Sequence, residues 1–138
     1  MSFEKHARTL IFFWAVLQLP ACAVRDADTS SGMAVSVELS DTHRCSRISP
    51  EITVVDAPDS TEYFDIRLVE YGEEDSFLGG GSWLNDGSGV IPEGALTKHY
   101  RGPCPPLGRT KDYAFIVSAM GKSSIQPATV RVYRFTQK

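Results

Sequence analysis

Residues 113–120 read YAFIVSAM, a continuous apolar run of strand length that predicts a fully buried central strand. Earlier in the chain, Phe64, Ile66 and Leu68 alternate with polar residues, and this period of two predicts a strand over 63–71. Later in the chain, the segment TVRVYRF predicts a last strand at 129–135. These three segments are therefore expected to supply most of the sheet.

Two shorter strands are predicted nearer the N-terminus. Met33, Val35, Val37 and Leu39 alternate with small or polar residues, which is typical of a half-buried strand. The segment ITVV at 52–55 predicts a second strand, and the turn-forming cluster DAPD at 56–59 ends it. Because no segment keeps an apolar period of 3.6 residues, the sequence predicts an all-β domain with little helix.

A region rich in glycine and proline separates the predicted strands at 63–71 and 113–120. Nine of the eleven glycines and four of the eight prolines fall between Gly72 and Gly108. A connection of about 40 residues without clear strand or helix signals is long for a small domain, and such loops are usually functional or mobile. Because glycine and proline residues cannot build a core, we expect only short strand or turn fragments here.

The first 23 residues have the features of a secretory signal peptide. Lys5 and Arg8 precede an apolar run over 10–19, and ACA at 21–23 fits the A-x-A cleavage pattern. The run is about half as long as a membrane-spanning helix, so no transmembrane segment is expected. These features predict a periplasmic or secreted protein. Because LPAC at 19–22 loosely resembles a bacterial lipobox, the sequence leaves open a lipid anchor at Cys22.

Cleavage after Ala23 leaves a mature chain of 115 residues, the size of one domain. Residues 24–32 are small and polar and predict a disordered leader, which leaves 33–138 as a single β domain. The signal peptide takes two of the 14 basic and one of the 17 acidic residues, so the mature chain has 12 against 16 and a net charge of −4. This balance does not favour nucleic acid as a partner.

Cys45 and Cys104 are the two cysteines of the predicted mature domain. An even pair in an oxidising compartment predicts a disulfide. The alternative is a zinc site, in which His43 and His99 supply two nitrogens and the cysteines supply two sulfurs. Neither spacing is typical of a zinc knuckle, and export favours oxidation, so we predict the disulfide and no metal.

Two neighbouring motifs carry a family resemblance. The chain reads YRGPCPPLG at 100–108 and then DYAFIV at 112–117. This resembles the phosphatidylethanolamine-binding protein family, in particular its bacterial, Raf kinase inhibitor-like branch, whose hallmark is Y-x-G-P-C-P-P-x-G running into H-x-Y-x-F-x-V. Cys45 with SP at 49–50, and IPEGA at 91–95, resemble further family segments in the matching order. The chain is short and divergent for that family.

The resemblance implies a small β-sandwich with a pocket for an anion such as a phospholipid head group. In the family, this pocket uses a D-P-D-x-P segment, a His-Trp pair and the histidine of H-x-Y. The matching positions here are EYGEE at 70–74, Ser82 before Trp83, and Lys111, so that Trp83 and Tyr113 alone match by residue type. Three prolines and two glycines independently predict a stiff loop over 102–108.

The candidate ligand-binding residues form an amphipathic set for an anionic or aromatic ligand. They are Trp83, His99, Tyr100, Lys111 and Tyr113. For Lys111, the alternative is an ordinary exposed lysine at the start of a strand. The sequence thus predicts a non-catalytic exported protein that binds a small anion beside the Gly-Pro-Cys-Pro-Pro loop, without a cofactor.

Two other functions stay open. The first is a protein-interaction or inhibitor module that contacts a partner through the loops at 79–89 and 102–108, since family members resemble kinase and protease inhibitors. The second is a hydrolase that uses His99 and the acidic turn at 70–75. An activated nucleophile is not recognisable in the sequence, so the protein is not expected to be an enzyme.

Overall fold

The computed structural model describes residues 32–72, 74–123 and 125–138. The predicted signal peptide at 1–23, and all of the predicted leader at 24–32 except Gly32, lie outside the described residues. Within the described ranges, no helix is long and apolar enough to cross a membrane.

Seven β-strands and one short 3-10 helix form the described part of the chain, so the prediction of an all-β fold with little helix is confirmed. The helix, Asp41–His43, is three residues long. In chain order the strands are β1 (Ala34–Val37), β2 (Ile52–Val55), β3 (Tyr63–Tyr71), β4 (Ser76–Leu84), β5 (Val90–Ile91), β6 (Lys111–Met120) and β7 (Thr129–Gln137).

The strands form two antiparallel sheets. The smaller has the order β1-β2-β5, and the larger has the order β4-β3-β6-β7. Strands β2 and β3 occupy the predicted residues, whereas β1 ends at Val37 and does not include Leu39. Strand β6 lies inside the larger sheet, as predicted for 113–120, but it is not fully buried, because Ile116, Ser118 and Met120 are partly exposed. Two strands are longer than predicted, because β6 begins at Lys111 and β7 continues to Gln137.

One hydrophobic core lies between the two sheets. Alternate residues of β6 face it, and antiparallel pairing sets Phe115 beside Leu68 and Val117 beside Ile66 of β3. From the smaller sheet, Ile52 and Ile91 complete the core with no exposed surface. Full burial of a large apolar side chain stabilises the fold by about 1.5–3 kcal/mol. The alternation of apolar and polar residues in the sequence of β3 therefore corresponds to alternate burial of its side chains in the core.

The expectation of only short fragments in the glycine-rich region is wrong for 76–84, where the nine-residue strand β4 forms an edge of the larger sheet. Gly80 exchanges two backbone hydrogen bonds with Lys98, at 3.0 and 2.9 Å. A Cβ atom on Gly80 would overlap the carbonyl oxygen of Ile66 in the neighbouring strand. The two backbones approach each other so closely at Gly80 that only glycine fits there. Because glycine has no side chain, this part of β4 lacks the alternation of apolar and polar residues that predicts a strand.

A β-bulge interrupts the pairing of β3 with β4. Arg67 pairs with Gly80 and Val69 pairs with Phe77, so that two residues of β4, Leu78 and Gly79, oppose one residue of β3. Gly79 has a φ of 95°, a conformation that favours glycine. The bulge bends β4 at the point where the candidate site begins.

Candidate functional site

A disulfide between Cys45 and Cys104 anchors the site, which confirms the predicted pairing. Two backbone hydrogen bonds run beside it: Cys45 N–H donates to the carbonyl of Pro103 at 3.0 Å, and Gly102 N–H donates to that of Ser46 at 2.6 Å. A Cβ atom on Gly102 would overlap the carbonyl oxygen of His43. The loop at 102–108 is therefore fixed to the chain before β2 by more than the covalent bond.

His43 joins this region to a third segment. Its ring is buried, and Nδ1 accepts a hydrogen bond from the N–H of Ser40 at 3.0 Å. Nε2 therefore carries the ring proton and donates to Oε1 of Glu93 at 2.7 Å. Nearby, Leu96 N–H donates to the buried hydroxyl of Ser49 at 3.1 Å. The structure thus brings together three of the segments that carry the family resemblance, those at 45–50, 91–95 and 100–108, and the role of His43 in this assembly is structural.

A surface groove runs along this assembly. Its first cavity, of about 440 Å³, is lined by Cys45, Ser46, Arg47, Glu70, Leu78, Arg101, Gly102 and Cys104. A second cavity, of about 390 Å³, is lined by Arg47, Phe77, Leu78, Gly79, His99 and Arg101. Because the two cavities share Arg47, Leu78 and Arg101, we treat them as one site and name it the arginine groove.

Two guanidinium groups dominate the charge of the arginine groove. Within the part of the chain that the structure describes, neither Arg47 nor Arg101 makes an ion pair. The carboxylate of Glu70 is partly neutralised, because its Oε1 lies 2.7 Å from Nζ of Lys111. An arginine offers five N–H donors in a planar fork that matches carboxylate and phosphate oxygens. The groove is therefore suited to an anion.

Backbone strain is concentrated at the arginine groove. Three non-glycine residues in the described ranges have positive φ, and two of them, Cys45 at 51° and His99 at 54°, line this groove. The third, Asp56, follows β2 in a predicted turn. Such conformations cost of order 1 kcal/mol each and are held where the surrounding structure, often at a functional site, fixes them.

The five residues predicted to bind ligand do not line one cavity. Trp83 pairs with Phe64 at one end of the larger sheet, whereas Lys111 starts β6 at the other end, beyond the pair Tyr71 and Asp112. Tyr71 follows Phe64 by seven positions, which corresponds to roughly 20 Å along a strand. Trp83 and Lys111 therefore do not contact the same small ligand.

The other predicted residues lie closer to the arginine groove. His99 is exposed and lines its second cavity, and Lys111 contacts the groove through Glu70. Tyr100 and Tyr113 belong to the buried core, although Tyr113 also borders a separate cavity of about 300 Å³ beside Arg134. Ligand binding by these residues stays a prediction.

Burial changes the acidity of the two core tyrosines. It raises the pKa of Tyr113 to about 12, and the negative charge of Glu70 nearby adds to this effect. The Glu70 carboxylate acts on the Tyr113 hydroxyl by charge, since the two groups are not in hydrogen-bonding geometry. Burial also raises the pKa of Tyr100. Both phenols therefore stay protonated in the folded state at pH values that ionise an exposed tyrosine.

We expect the stability of the protein to fall with alkaline pH, and Tyr113→Phe to weaken that fall. Between about pH 10 and about pH 12, the unfolded chain has lost the Tyr113 proton that the folded chain retains, so the free energy of unfolding decreases. Urea denaturation at about pH 9 and about pH 11 measures the slope. Phenylalanine keeps the ring packing on Phe135, where the centroids are 5.6 Å apart. An unchanged slope in the variant would contradict this assignment.

The disulfide also bears on the zinc alternative, because it uses both sulfurs that such a site needs as thiolates. Among the described residues, no group of three or more histidine, cysteine, aspartate or glutamate side chains is placed to hold a metal ion. His43 and His99 are also differently placed, the first buried against Glu93 and the second exposed in the groove.

Sequence reasoning missed Arg47 and Arg101, the two residues that give the groove its charge. Each is an isolated arginine in an irregular segment, and neither belongs to a recognisable motif. One signal was available: Arg47 follows Cys45 by two residues, and Arg101 precedes Cys104 by three. A disulfide between those cysteines brings both arginines to the same place.

No family model matches the chain, and no curated protein matches it in sequence. The site is therefore interpreted from its own geometry.

Proposed function

We propose that this protein is a non-catalytic, exported binding protein that holds a small anionic ligand in the arginine groove. The observation that carries the proposal is the pair of guanidinium groups, Arg47 and Arg101, that line one cavity without a carboxylate partner among the described residues. A cavity of about 440 Å³ is within the range of small-molecule sites. The ligand class is a phosphate or carboxylate of low molecular mass.

Preorganisation supports the proposal. The wall of the groove contains the disulfide, two adjacent backbone hydrogen bonds and the fully buried Pro103. A site that is already ordered loses little conformational entropy when a ligand binds, and this raises affinity. We propose that the stiff loop at 102–108 serves this purpose. The same features support kinship with the phosphatidylethanolamine-binding protein family and its type of β-sandwich.

Export is part of the proposal. A disulfide is consistent with an extracytoplasmic location, since cytosolic thiols are usually kept reduced. The A-x-A pattern at 21–23 supports a cleaved signal peptide, and the lipobox-like LPAC at 19–22 keeps a lipid anchor at Cys22 as the alternative. Mass spectrometry of the mature protein distinguishes the two, because cleavage after Ala23 removes Cys22.

Anion binding is tested by calorimetric titration of the folded mature protein with inorganic phosphate at low ionic strength. We expect Arg47→Gln and Arg101→Gln each to lower the affinity about tenfold or more, because a hydrogen bond to a charged group contributes about 1.5–3 kcal/mol. Arg109→Gln is the matched control: it removes the same charge from an exposed arginine that lines neither cavity. Equal loss in all three variants would indicate nonspecific attraction and sink the proposal.

Lys111 provides an independent arm of that experiment. The Lys111→Ala substitution removes the ammonium group that lies 2.7 Å from Oε1 of Glu70, and so leaves this carboxylate unpaired at the edge of the groove. We expect a smaller loss of phosphate affinity than for the arginine variants, because the effect on the ligand is indirect. Unchanged affinity would remove Lys111 from the site while leaving the two arginines in it.

Fewer structural observations support the alternative of a protein-interaction module. Leu107, in the stiff loop, is 101% exposed. Single exposed apolar residues are common on protein surfaces, so this feature does not by itself indicate a partner. We therefore favour the small anionic ligand over an inhibitor module, and no specific observation favours the hydrolase.

A further inference from the structure

The disulfide is unusual in its setting, because it forms part of the wall of the charged cavity. Cys45 and Cys104 are both exposed, and both line the 440 Å³ cavity. Exposed or strained disulfides are generally more easily reduced than buried ones, and they include the regulatory and catalytic cases. The positive φ of Cys45, 51°, adds backbone strain at one end of the bond. A small molecule in the cavity would therefore contact the two cysteine residues of the disulfide.

The charge around the sulfurs favours thiol chemistry. Arg47 and Arg101 line the same cavity as the two cysteines, and Glu70 carries the one carboxylate among its described lining residues. That carboxylate is paired with Lys111. Nearby guanidinium groups attract an anionic thiol and stabilise the thiolate that a broken disulfide leaves behind.

The segments around the disulfide are held together without it. Cys45 N–H donates to Pro103, and Gly102 N–H donates to Ser46, so the two chain segments keep two backbone hydrogen bonds when the sulfur–sulfur bond opens. The His43 to Glu93 bond adds a third connection in the same region. Opening the bond therefore leaves the groove in place around the reacting sulfurs.

We propose that the Cys45–Cys104 disulfide is a modification site that exchanges with small anionic thiols recruited by Arg47 and Arg101. In the first step, the incoming thiolate forms a bond to one cysteine sulfur, the protein disulfide breaks, and its electron pair leaves on the other sulfur as a thiolate. In the second step, another thiolate attacks the mixed disulfide, which releases the small-molecule disulfide and leaves two protein thiols. The recruitment step rests on the proposed function, because it uses the same arginine groove.

A series of thiols that differ in charge tests the proposal. Glutathione, β-mercaptoethanol and cysteamine represent net negative, neutral and positive reagents, and intact-protein mass spectrometry follows the mixed disulfide. After normalisation to the thiolate concentration, we expect glutathione to react at least about tenfold faster than cysteamine at low salt, the low end of electrostatic rate enhancement. The ratio should fall at high salt, because exposed charges are screened.

Charge variants connect the rate to the groove. Arg47→Gln with Arg101→Gln should abolish the preference for glutathione, whereas Arg109→Gln should retain it. The assay starts from the folded protein with its disulfide intact, so the protein is not reduced or refolded beforehand. No mixed disulfide with any thiol, or the same relative rates in the wild type and the double variant, would overturn the proposal.

Phosphate titration of the same samples separates this inference from the proposed function. Phosphate binding without charge-selective exchange would overturn the exchange alone. Absence of phosphate binding together with charge-selective exchange would overturn the proposed function and leave the reactive disulfide. Competition is the positive result for both, since phosphate that occupies the groove should slow the reaction with glutathione.

Discussion

Loss of the Cys45–Cys104 bond, by reduction or by the pair of changes Cys45→Ser and Cys104→Ser, is expected to lower the free energy of unfolding by about 4 kcal/mol. The two cysteines are 59 residues apart, so the bond closes a loop that covers more than half of the predicted mature domain. A bond that closes such a loop restricts the unfolded chain and raises its free energy. Domains of this size have a total stability of about 5–15 kcal/mol.

Denaturant titration with and without a reducing agent measures this effect. The reductant should shift the midpoint of the wild type and leave the midpoint of the double serine variant unchanged, which makes that variant the control. We expect the reduced protein to remain mostly folded, since the shared core of the two sheets does not depend on the bond. Equal midpoints for the oxidised and reduced wild type would contradict the prediction.

The sequence predicts well those strands in which the pattern of apolar residues matches the burial of their side chains. In β3, Phe64, Ile66 and Leu68 face the core and have at most 1% exposed surface, and the apolar run of β6 lies between two other strands. In both strands the pattern exists because the side chains pack. Strand β4 carries no such pattern in its middle, where Gly79, Gly80 and Gly81 stand together. Gly79 lies against the backbone of His99, Gly80 against that of Ile66, and Gly81 against that of Leu96. These contacts are distant in sequence, so a local pattern does not predict them.

Strand β4, which the sequence did not predict, also explains why the residues predicted to bind ligand do not lie together. The resemblance placed Trp83 with Lys111 in one pocket, but β4 runs antiparallel to β3 and carries Trp83 to the far end of the sheet. The location beside the Gly-Pro-Cys-Pro-Pro loop was nevertheless predicted, and a cavity lined by Gly102 and Cys104 lies there. The pairing of the two cysteines can be argued from the sequence. Which residues line the arginine groove depends on how the irregular segments around the disulfide pack against each other, and the sequence does not show this.

Gly79→Ala is expected to destabilise the protein by about 3 kcal/mol and to weaken anion binding in the same variant. The residue has a φ of 95°, which costs an alanine about 1 kcal/mol, and the added Cβ would overlap the backbone carbonyl of His99. The atoms that this Cβ would overlap belong to the backbone of His99 and Tyr100, so a side-chain movement does not relieve the overlap. Overpacking of this kind costs about 1–3 kcal/mol in addition.

The control is Gly87→Ala, which separates the two causes. Gly87 has a similar φ of 86°, but a Cβ atom there would meet nothing within 4 Å. We expect this variant to lose only about 1 kcal/mol, the cost of the left-handed conformation alone. Urea denaturation of both variants gives the difference, which reports the contact between the β-bulge and the segment before Tyr100. Equal losses in the two variants would mean that this segment is not held against β4.

The same pair of variants relates the bulge to function. Gly79 and His99 line the second cavity of the arginine groove, so relief of the clash must move the groove wall, whereas Gly87 lines neither cavity. At a temperature where both variants are folded, Gly79→Ala should bind phosphate more weakly than Gly87→Ala. If Gly79→Ala is destabilised but binds phosphate as tightly as the wild type, the anion occupies the first cavity alone, between the disulfide and Glu70.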